Sequence, residues 1–190
     1  MRKRIWGIWL GSALIIGGAA SLARYSWNLH ESAAAQRNAR ELLSRKMVLH
    51  SPPHSPPPVG RGDMIGELAI PRLHLSVMVF EGDDAGILKQ GAGHIPGTAL
   101  PAGSGNIGIA AHRDTYFRPL RGIRANDVIT LATAAGTSRF AVTKTEIVPP
   151  SDVGVLERAP ERDLTLVTCY PFHYVGSAPK RFIVYARKTG

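Results

Sequence analysis

The run LTLVTCYP, at residues 164–171, consists of apolar and β-branched residues and stops at a proline. This composition is typical of a buried β-strand, since branched side chains fit a pleated sheet and proline cannot donate a hydrogen bond to a ladder. Near its end the run carries Cys169, the only cysteine of the chain. A lone cysteine excludes an intramolecular disulfide and a paired-Cys zinc or redox motif. The thiol is therefore either a small core residue or a nucleophile.

Further runs of the same kind follow residue 63 and are broken by Gly, Pro, Asn and Asp. They are 64–70, 76–82, 106–112, 128–133, 139–148 and 181–187. Seven or eight short strands predict an all-β domain, either a closed barrel or a sandwich. The runs 128–133 and 139–148 predict a hairpin with its turn near 135–138. Residues 152–162 predict a long loop with one helical turn.

Three residue types of catalytic interest lie at ends of these strands. Cys169 lies at the end of its strand, and we expect its thiol to face the mouth of a barrel, because loops near strand ends commonly present reactive groups. His112 closes the run NIGIAA, and Arg181 opens the last strand. Taken alone, such a histidine is more often a structural hydrogen-bonding residue and such an arginine an exposed charge. Together, the three supply a nucleophile, a proton-transfer group and a fixed cation for an oxyanion.

The same residues lie in three blocks that resemble the sortase family. The blocks are TLVTC at 165–169, IAAHRD at 109–114 and PKRFIVYA at 179–186. They occur in the order and at the distances found in that family, the similarity covers 64–188, and the blocks TLVTCYP, HRDTYFRPL and APKRFIV are most similar to class D. One departure is Ala111, where the family pattern has glycine; we expect the alanine to fit and to narrow the groove slightly.

This resemblance implies an eight-stranded β-barrel with short helical turns and a transpeptidase that acts on proteins with an LPxTG-like C-terminal sorting signal. It implies that Cys169 attacks the threonine carbonyl, that His112 protonates the leaving amine and that Arg181 holds substrate backbone and oxyanion. An amine of a peptidoglycan precursor then resolves the thioacyl enzyme, with hydrolysis as the side reaction. We expect no cofactor and no required metal, because phosphate-binding and calcium-loop patterns are absent from the sequence.

The N-terminal third has a different composition. The 19 residues from 5 to 23 are uncharged and follow three positive charges, which predicts a transmembrane helix with a cytoplasmic N-terminus and an external domain. A cleaved signal peptide is the alternative, because Ser21 and Ala23 resemble a small-x-small site. The predicted division is a cytoplasmic tail 1–4, a signal-anchor 5–23, a juxtamembrane stalk 24–50, a Pro-rich linker 51–62 and a catalytic domain 63–190.

The net charge of +9 does not indicate a nucleic-acid partner. Residues 1–60 carry eight Lys and Arg against two acids, which leaves +3 on the remaining 130 residues. The positive excess near the N-terminus fits a membrane surface, and no nucleic-acid-binding motif is present. The expected partners are the lipid membrane, the sorting-signal protein and the acceptor amine.

Other readings of the chain have less support. A metal site of His94, His112, Asp114 and Cys169 has neither an HExxH nor a paired-Cys spacing to support it. A papain-type hydrolase would place its cysteine before its histidine. A catalytically silent surface barrel would lack at least one of the three catalytic residues. A pilin-polymerising sortase remains an alternative to one that anchors single proteins.

Overall fold

A computed structural model describes residues 18, 20–22, 24–27, 33–45, 59–157, 163–174 and 176–189. Its eight strands are β1 Met64–Ile70, β2 Leu75–Glu81, β3 Ala92–His94, β4 Ile107–Ala110, β5 Val128–Thr133, β6 Gly136–Val148, β7 Leu164–Tyr170 and β8 Lys180–Lys188. They form a closed barrel in the order β1-β2-β3-β4-β7-β8-β6-β5, and β5 pairs back to β1. The predicted all-β class and eight-stranded barrel are confirmed.

Short helical segments connect the strands. An α-helix spans Ala85–Gln90, and 3-10 turns span Pro71–Leu73, Arg118–Gly122 and Val153–Leu156. The last of these is the helical turn predicted in the loop before β7, whereas residues 158–162 of that loop lie outside the described residues. The helix at Ala85 begins at an N-cap, Asp84, whose carboxylate accepts hydrogen bonds from the backbone N–H groups of residues 86 and 87.

Two features differ from the sequence expectation. Strand β3 was not predicted, because its three residues, AGH, are too few to show a period and contain a glycine. The turn between β5 and β6 consists of residues 134 and 135, not 135–138, since Thr133 already pairs with Gly136. Gly136 has a φ of 131°, which glycine adopts at low cost directly after the turn.

The barrel interior is filled by alternate side chains of the strands. Leu68, Ile109, Leu131, Leu166 and Val184 are fully buried in one cluster. A second cluster lies on the outer face of β7 and β8, where Val155 of the β6–β7 loop covers Ile183 and Tyr185. Both faces of β7 are therefore buried over most of its length.

Residues 33–45 form a helix, here called the stalk helix, that packs on the outside of the barrel. Ala39 and Leu43 are buried against Met78, Phe80 and Ile87. The backbone N–H of Met78 donates to the side-chain amide oxygen of Gln36 at 2.7 Å. The stalk helix therefore docks through apolar packing and through a hydrogen bond with the backbone of β2.

The predicted membrane segment 5–23 lies almost entirely outside the described residues. Within it, only residues 18 and 20–22 are described, and they are helical and exposed. Among the helices of the described ranges, none combines the length and apolar composition that a membrane crossing requires. The predicted linker 51–62 is described only from residue 59.

Two neighbouring leucines of the stalk helix test the docking. Leu43 is buried and Leu42 is 54% exposed. We expect Leu43→Ala to lower the free energy of unfolding by about 2 kcal/mol or more, because it removes buried methyl groups and leaves a cavity. The control, Leu42→Ala, should change it by less than about 0.5 kcal/mol. Urea denaturation of the full chain in detergent measures both; equal values would show that the helix does not dock.

Candidate active site

The site is built around β7, which lies between β4 and β8 in the barrel. β7 and β8 are antiparallel, and their register pairs Cys169 directly with Arg181. Directly opposed residues of antiparallel strands have Cβ atoms about 4.5–5.5 Å apart on the same face of the sheet. Cys169 and Arg181 are therefore neighbours on one face of the sheet, although 12 positions separate them in sequence.

Strand alternation places this pair on the outer face of the barrel. Leu166 of β7 and Val184 of β8 belong to the interior cluster, while Val167 and Ile183 belong to the outer one. Since successive side chains of a strand point to opposite faces, Cys169 shares the outer face with Val167. The expectation of a thiol facing the barrel mouth is wrong: Cys169 is partly exposed on the outer wall, one residue before the strand ends.

His112 reaches the other side of Cys169 through β4. This strand is parallel to β7, with Ala110 paired to Val167, and the Ala111 N–H still donates to the Val167 carbonyl at 3.2 Å. His112 lies two residues past the end of β4, and the same register continued that far would bring it beside Cys169. The three predicted residues thus belong to neighbouring parts of the barrel wall: Cys169 and Arg181 lie in β7 and β8, and His112 follows β4. Adjacent strands of a sheet are about 4.8 Å apart.

Ala111 has a role other than the one expected. It is buried in the interior cluster, so its methyl group packs in the barrel core and does not narrow the groove. Its carbonyl accepts a hydrogen bond of 2.7 Å from the hydroxyl of Thr168, which is also buried. This bond fastens the residue before His112 to the residue before Cys169, and the sequence reasoning had assigned no role to Thr168.

The loop that follows His112 is held at two points. The Phe117 N–H donates to the His112 carbonyl at 3.0 Å, and the Phe117 ring is fully buried in the core. The Tyr116 hydroxyl donates to the backbone carbonyl of Gln90 at 3.0 Å. His112 itself is partly exposed, which leaves its ring accessible to a substrate.

Arg181 is oriented by its own loop. Its Nη1 donates to the carbonyls of Ala178 at 3.3 Å and Lys180 at 3.1 Å. A guanidinium has five N–H donors in one plane, and these two contacts use one of its three nitrogens. The side chain is therefore fixed by the backbone while keeping donors that suit a carbonyl oxygen or an oxyanion.

Two residues of the rejected metal site have other surroundings. His94 is buried at the end of β3, with Nδ1 at 2.7 Å from a Glu81 carboxylate oxygen and Nε2 at 3.0 Å from the Ala99 carbonyl. Asp114 is exposed in the loop after His112. Within the described ranges no group of three or more His, Cys, Asp and Glu side chains is arranged to hold a metal ion.

Arg113 is a further residue that the sequence reasoning left without a role. It lies next to His112, yet its Nη2 donates to the Tyr174 carbonyl at 2.6 Å and to the Gly176 carbonyl at 3.0 Å. Both acceptors belong to the loop between β7 and β8. Its position directly after the histidine, in the block HRD, was the available signal.

Comparison with known proteins identifies the family of the domain. A sortase domain model matches residues 68–189. Sortase D of Bacillus subtilis (strain 168) is 37% identical over 129 residues, which are 67% of this chain and 65% of that protein. Sortase A of Listeria monocytogenes serovar 1/2a is 27% identical over 110 residues, 56% of this chain and 49% of that protein. The chain thus spans between about half and two thirds of these curated relatives' length.

The fold has solved counterparts. The structure of a Clostridium perfringens Sortase D5 transpeptidase superposes with a TM-score of 0.69 at 23% identity, and the match covers 83% of this chain and 99% of that one. At this identity the likeness concerns the barrel fold.

Two threonines of β7 test whether the Thr168 bond positions the site. Thr168→Val removes the bond to Ala111, and Thr165→Val removes a comparable buried bond of 2.9 Å to Asn106 at the other end of the strand. We expect both to lower the free energy of unfolding by about 1–2 kcal/mol. Only Thr168→Val should also slow alkylation of Cys169 by iodoacetamide, measured by mass spectrometry, because its hydrogen bond holds the residue before Cys169 and so fixes how the thiol is presented to the reagent. Equal alkylation in both variants would make the bond purely structural.

Proposed function

The chain belongs to the sortase family, and we propose that it is a membrane-anchored cysteine transpeptidase that joins proteins to the cell envelope. One observation supports the proposal above all: the register of β7 and β8 pairs Cys169 with Arg181. The register of β4 and β7, continued two residues past Ala110, would bring His112 to the other side of the thiol. Nucleophile, proton donor and cation then flank one reacting carbonyl.

In the first half-reaction the Sγ thiolate of Cys169 attacks the carbonyl carbon of threonine in an LPxTG-like signal. The tetrahedral intermediate carries its negative charge on the former carbonyl oxygen. When it collapses, the C–N bond to the following residue breaks, and the leaving amine takes a proton from the imidazolium of His112. The product is a thioester between Cys169 and the substrate's threonine.

In the second half-reaction an amine of a peptidoglycan precursor attacks the thioester. His112 takes the amine's proton, the C–S bond breaks, and Cys169 returns to its thiolate. Water in place of the amine gives hydrolysis, so a groove that keeps water scarce favours transfer. The outer-wall position of Cys169, with the β6–β7 loop packed beside it, suits an extended peptide that lies along the barrel.

Arg181 stabilises the oxyanion in both half-reactions. Its position opposite Cys169 and its anchorage on two backbone carbonyls fix the guanidinium before substrate arrives. Preorganised donors of this kind need no rearrangement when charge develops, which is why they lower the barrier.

The N-terminal segment would hold this domain at the membrane. Three positive charges followed by 19 uncharged residues support a single membrane crossing with the N-terminus in the cytoplasm. The catalytic domain would then lie outside, where both the secreted substrate and the envelope amine are found.

A nucleophile test separates this function from a silent surface barrel. We expect Cys169→Ala to abolish both cleavage and transfer of LPxTx library peptides, since no other thiol exists in the chain. In the unchanged protein, mass spectrometry should find the acyl group on Cys169 alone. Transfer that persists in the alanine variant, or an acyl group elsewhere, contradicts the proposal.

Replacement of Arg181 tests the oxyanion role. Removing one oxyanion donor typically lowers turnover by on the order of 10²–10³-fold. We expect both Arg181→Lys and Arg181→Ala to show this loss, because an ammonium does not reproduce the planar donor set. Alkylation of Cys169 by iodoacetamide needs no oxyanion site and serves as the control. If peptide cleavage stays within about threefold of the unchanged protein, backbone N–H groups must hold the oxyanion instead.

A further inference from the structure

The loop between β7 and β8 joins two of the catalytic residues. It leaves β7 directly after Tyr170 and enters β8 at Lys180, so Cys169 and Arg181 lie at its two ends. Residues 173, 174, 176 and 177 of this loop are exposed. A loop with so little burial of its own relies on specific contacts for a fixed path.

Arg113, in the loop that follows β4, supplies such a contact. Its Nη2 hydrogen bonds reach the carbonyls of Tyr174 and Gly176, and its guanidinium carbon lies 5.8 Å from the centre of the Tyr174 ring. Bonds from a charged donor are stronger than those between neutral groups, and a cation over a ring adds to them. The loop is thus tied to the residue that follows His112.

The same loop also contacts Arg181. Gly176 precedes Ala178 by two residues, and the Ala178 carbonyl accepts a hydrogen bond from Arg181 Nη1. Gly176 has a φ of 95°, so the backbone turns sharply between the two anchored carbonyls. The path runs from His112 through Arg113 and the loop carbonyls to the guanidinium of Arg181.

Arg113 also differs from the other arginines of its segment. It is partly buried, whereas Arg118 and Arg121 are exposed. Within the described ranges Arg113 has no acidic partner, so the charge is directed to backbone carbonyls and to a ring. Arg113 thus connects the loop after β4 to the β7–β8 loop and does not form a surface ion pair.

From these contacts we infer that Arg113 is a positioning residue for the transpeptidase reaction: it holds the β7–β8 loop, and through it Arg181, at the correct distance from His112 and Cys169. The inference rests on the proposed function, since Arg181 must act on the oxyanion for its position to matter. Small displacements of a catalytic group are costly, because the reacting geometry tolerates little error.

A double-mutant cycle in the full chain tests the inference. Arg113→Ala alone should lower kcat/KM for a fluorogenic LPxTG-type peptide by on the order of 10- to 10²-fold. In a chain that already carries Arg181→Ala, the same change should lower it by no more than about twofold, because residues that act as a unit are not additive. Arg118→Ala is the matched control: the same charge is removed from an exposed site of the same segment, and no effect is expected.

Two further measurements separate positioning from stability. Hydrogen exchange at residues 172–179 should accelerate in Arg113→Ala and not in Arg118→Ala, while iodoacetamide alkylation of Cys169 stays within about twofold of the unchanged protein. If circular dichroism shows that Arg113→Ala does not fold, the cycle is run with Arg113→Lys, which keeps the charge and loses the planar group.

The outcomes are distinct. Effects of Arg113 and Arg181 that multiply, or unchanged exchange in the loop, overturn the positioning role and leave the proposed function intact. A wild-type rate for Arg181→Ala would instead overturn the oxyanion assignment on which the inference rests.

Discussion

The antiparallel register between β7 and β8 is the constraint on which the site depends. It places Cys169 opposite Arg181 and, at the same time, Val167 opposite Ile183. A slip by one residue would put Lys180 or Phe182 opposite the thiol and turn core side chains outward, because the side-chain period of a strand is two. A catalytic pairing is thus tied to the packing of the barrel.

Two apolar clusters hold that register. Inside the barrel, Leu166 packs in the same cluster as Val184, and outside, Val155 covers Val167 and Ile183. A one-residue slip would exchange the side chains that pack in these two clusters and would disrupt both. Each fully buried aliphatic side chain contributes roughly 1.5–3 kcal/mol relative to an exposed one, so a slip that exposes several is strongly disfavoured.

The polar contacts that complete the site share one property: their acceptors are backbone carbonyls. Thr168 donates to Ala111, Arg113 to Tyr174 and Gly176, and Arg181 to Ala178 and Lys180. A carbonyl is present whatever the acceptor's side chain is, so the geometry depends on the path of the chain and on three donor side chains. The stalk helix follows the same rule at a distance from the site, where the Gln36 side-chain amide donates to the Gln90 carbonyl.

Seven of the eight strands, the all-β class and the three candidate catalytic residues could be read from the amino-acid sequence, because strong β-type runs and the blocks around His112, Cys169 and Arg181 are local patterns. The runs left a barrel and a sandwich open, and the resemblance to sortases implied the barrel. Which face of β7 carries the thiol, by contrast, follows from how the folded barrel packs the two sides of this strand. A strand buried on both faces, as LTLVT is, shows no polar alternation from which its outer face could be read. The fold likewise determines strand β3, the docking of the stalk helix and the Arg113 contacts, since each joins chain segments whose proximity no short pattern encodes. Arg113 and Gly176, for example, are 63 residues apart.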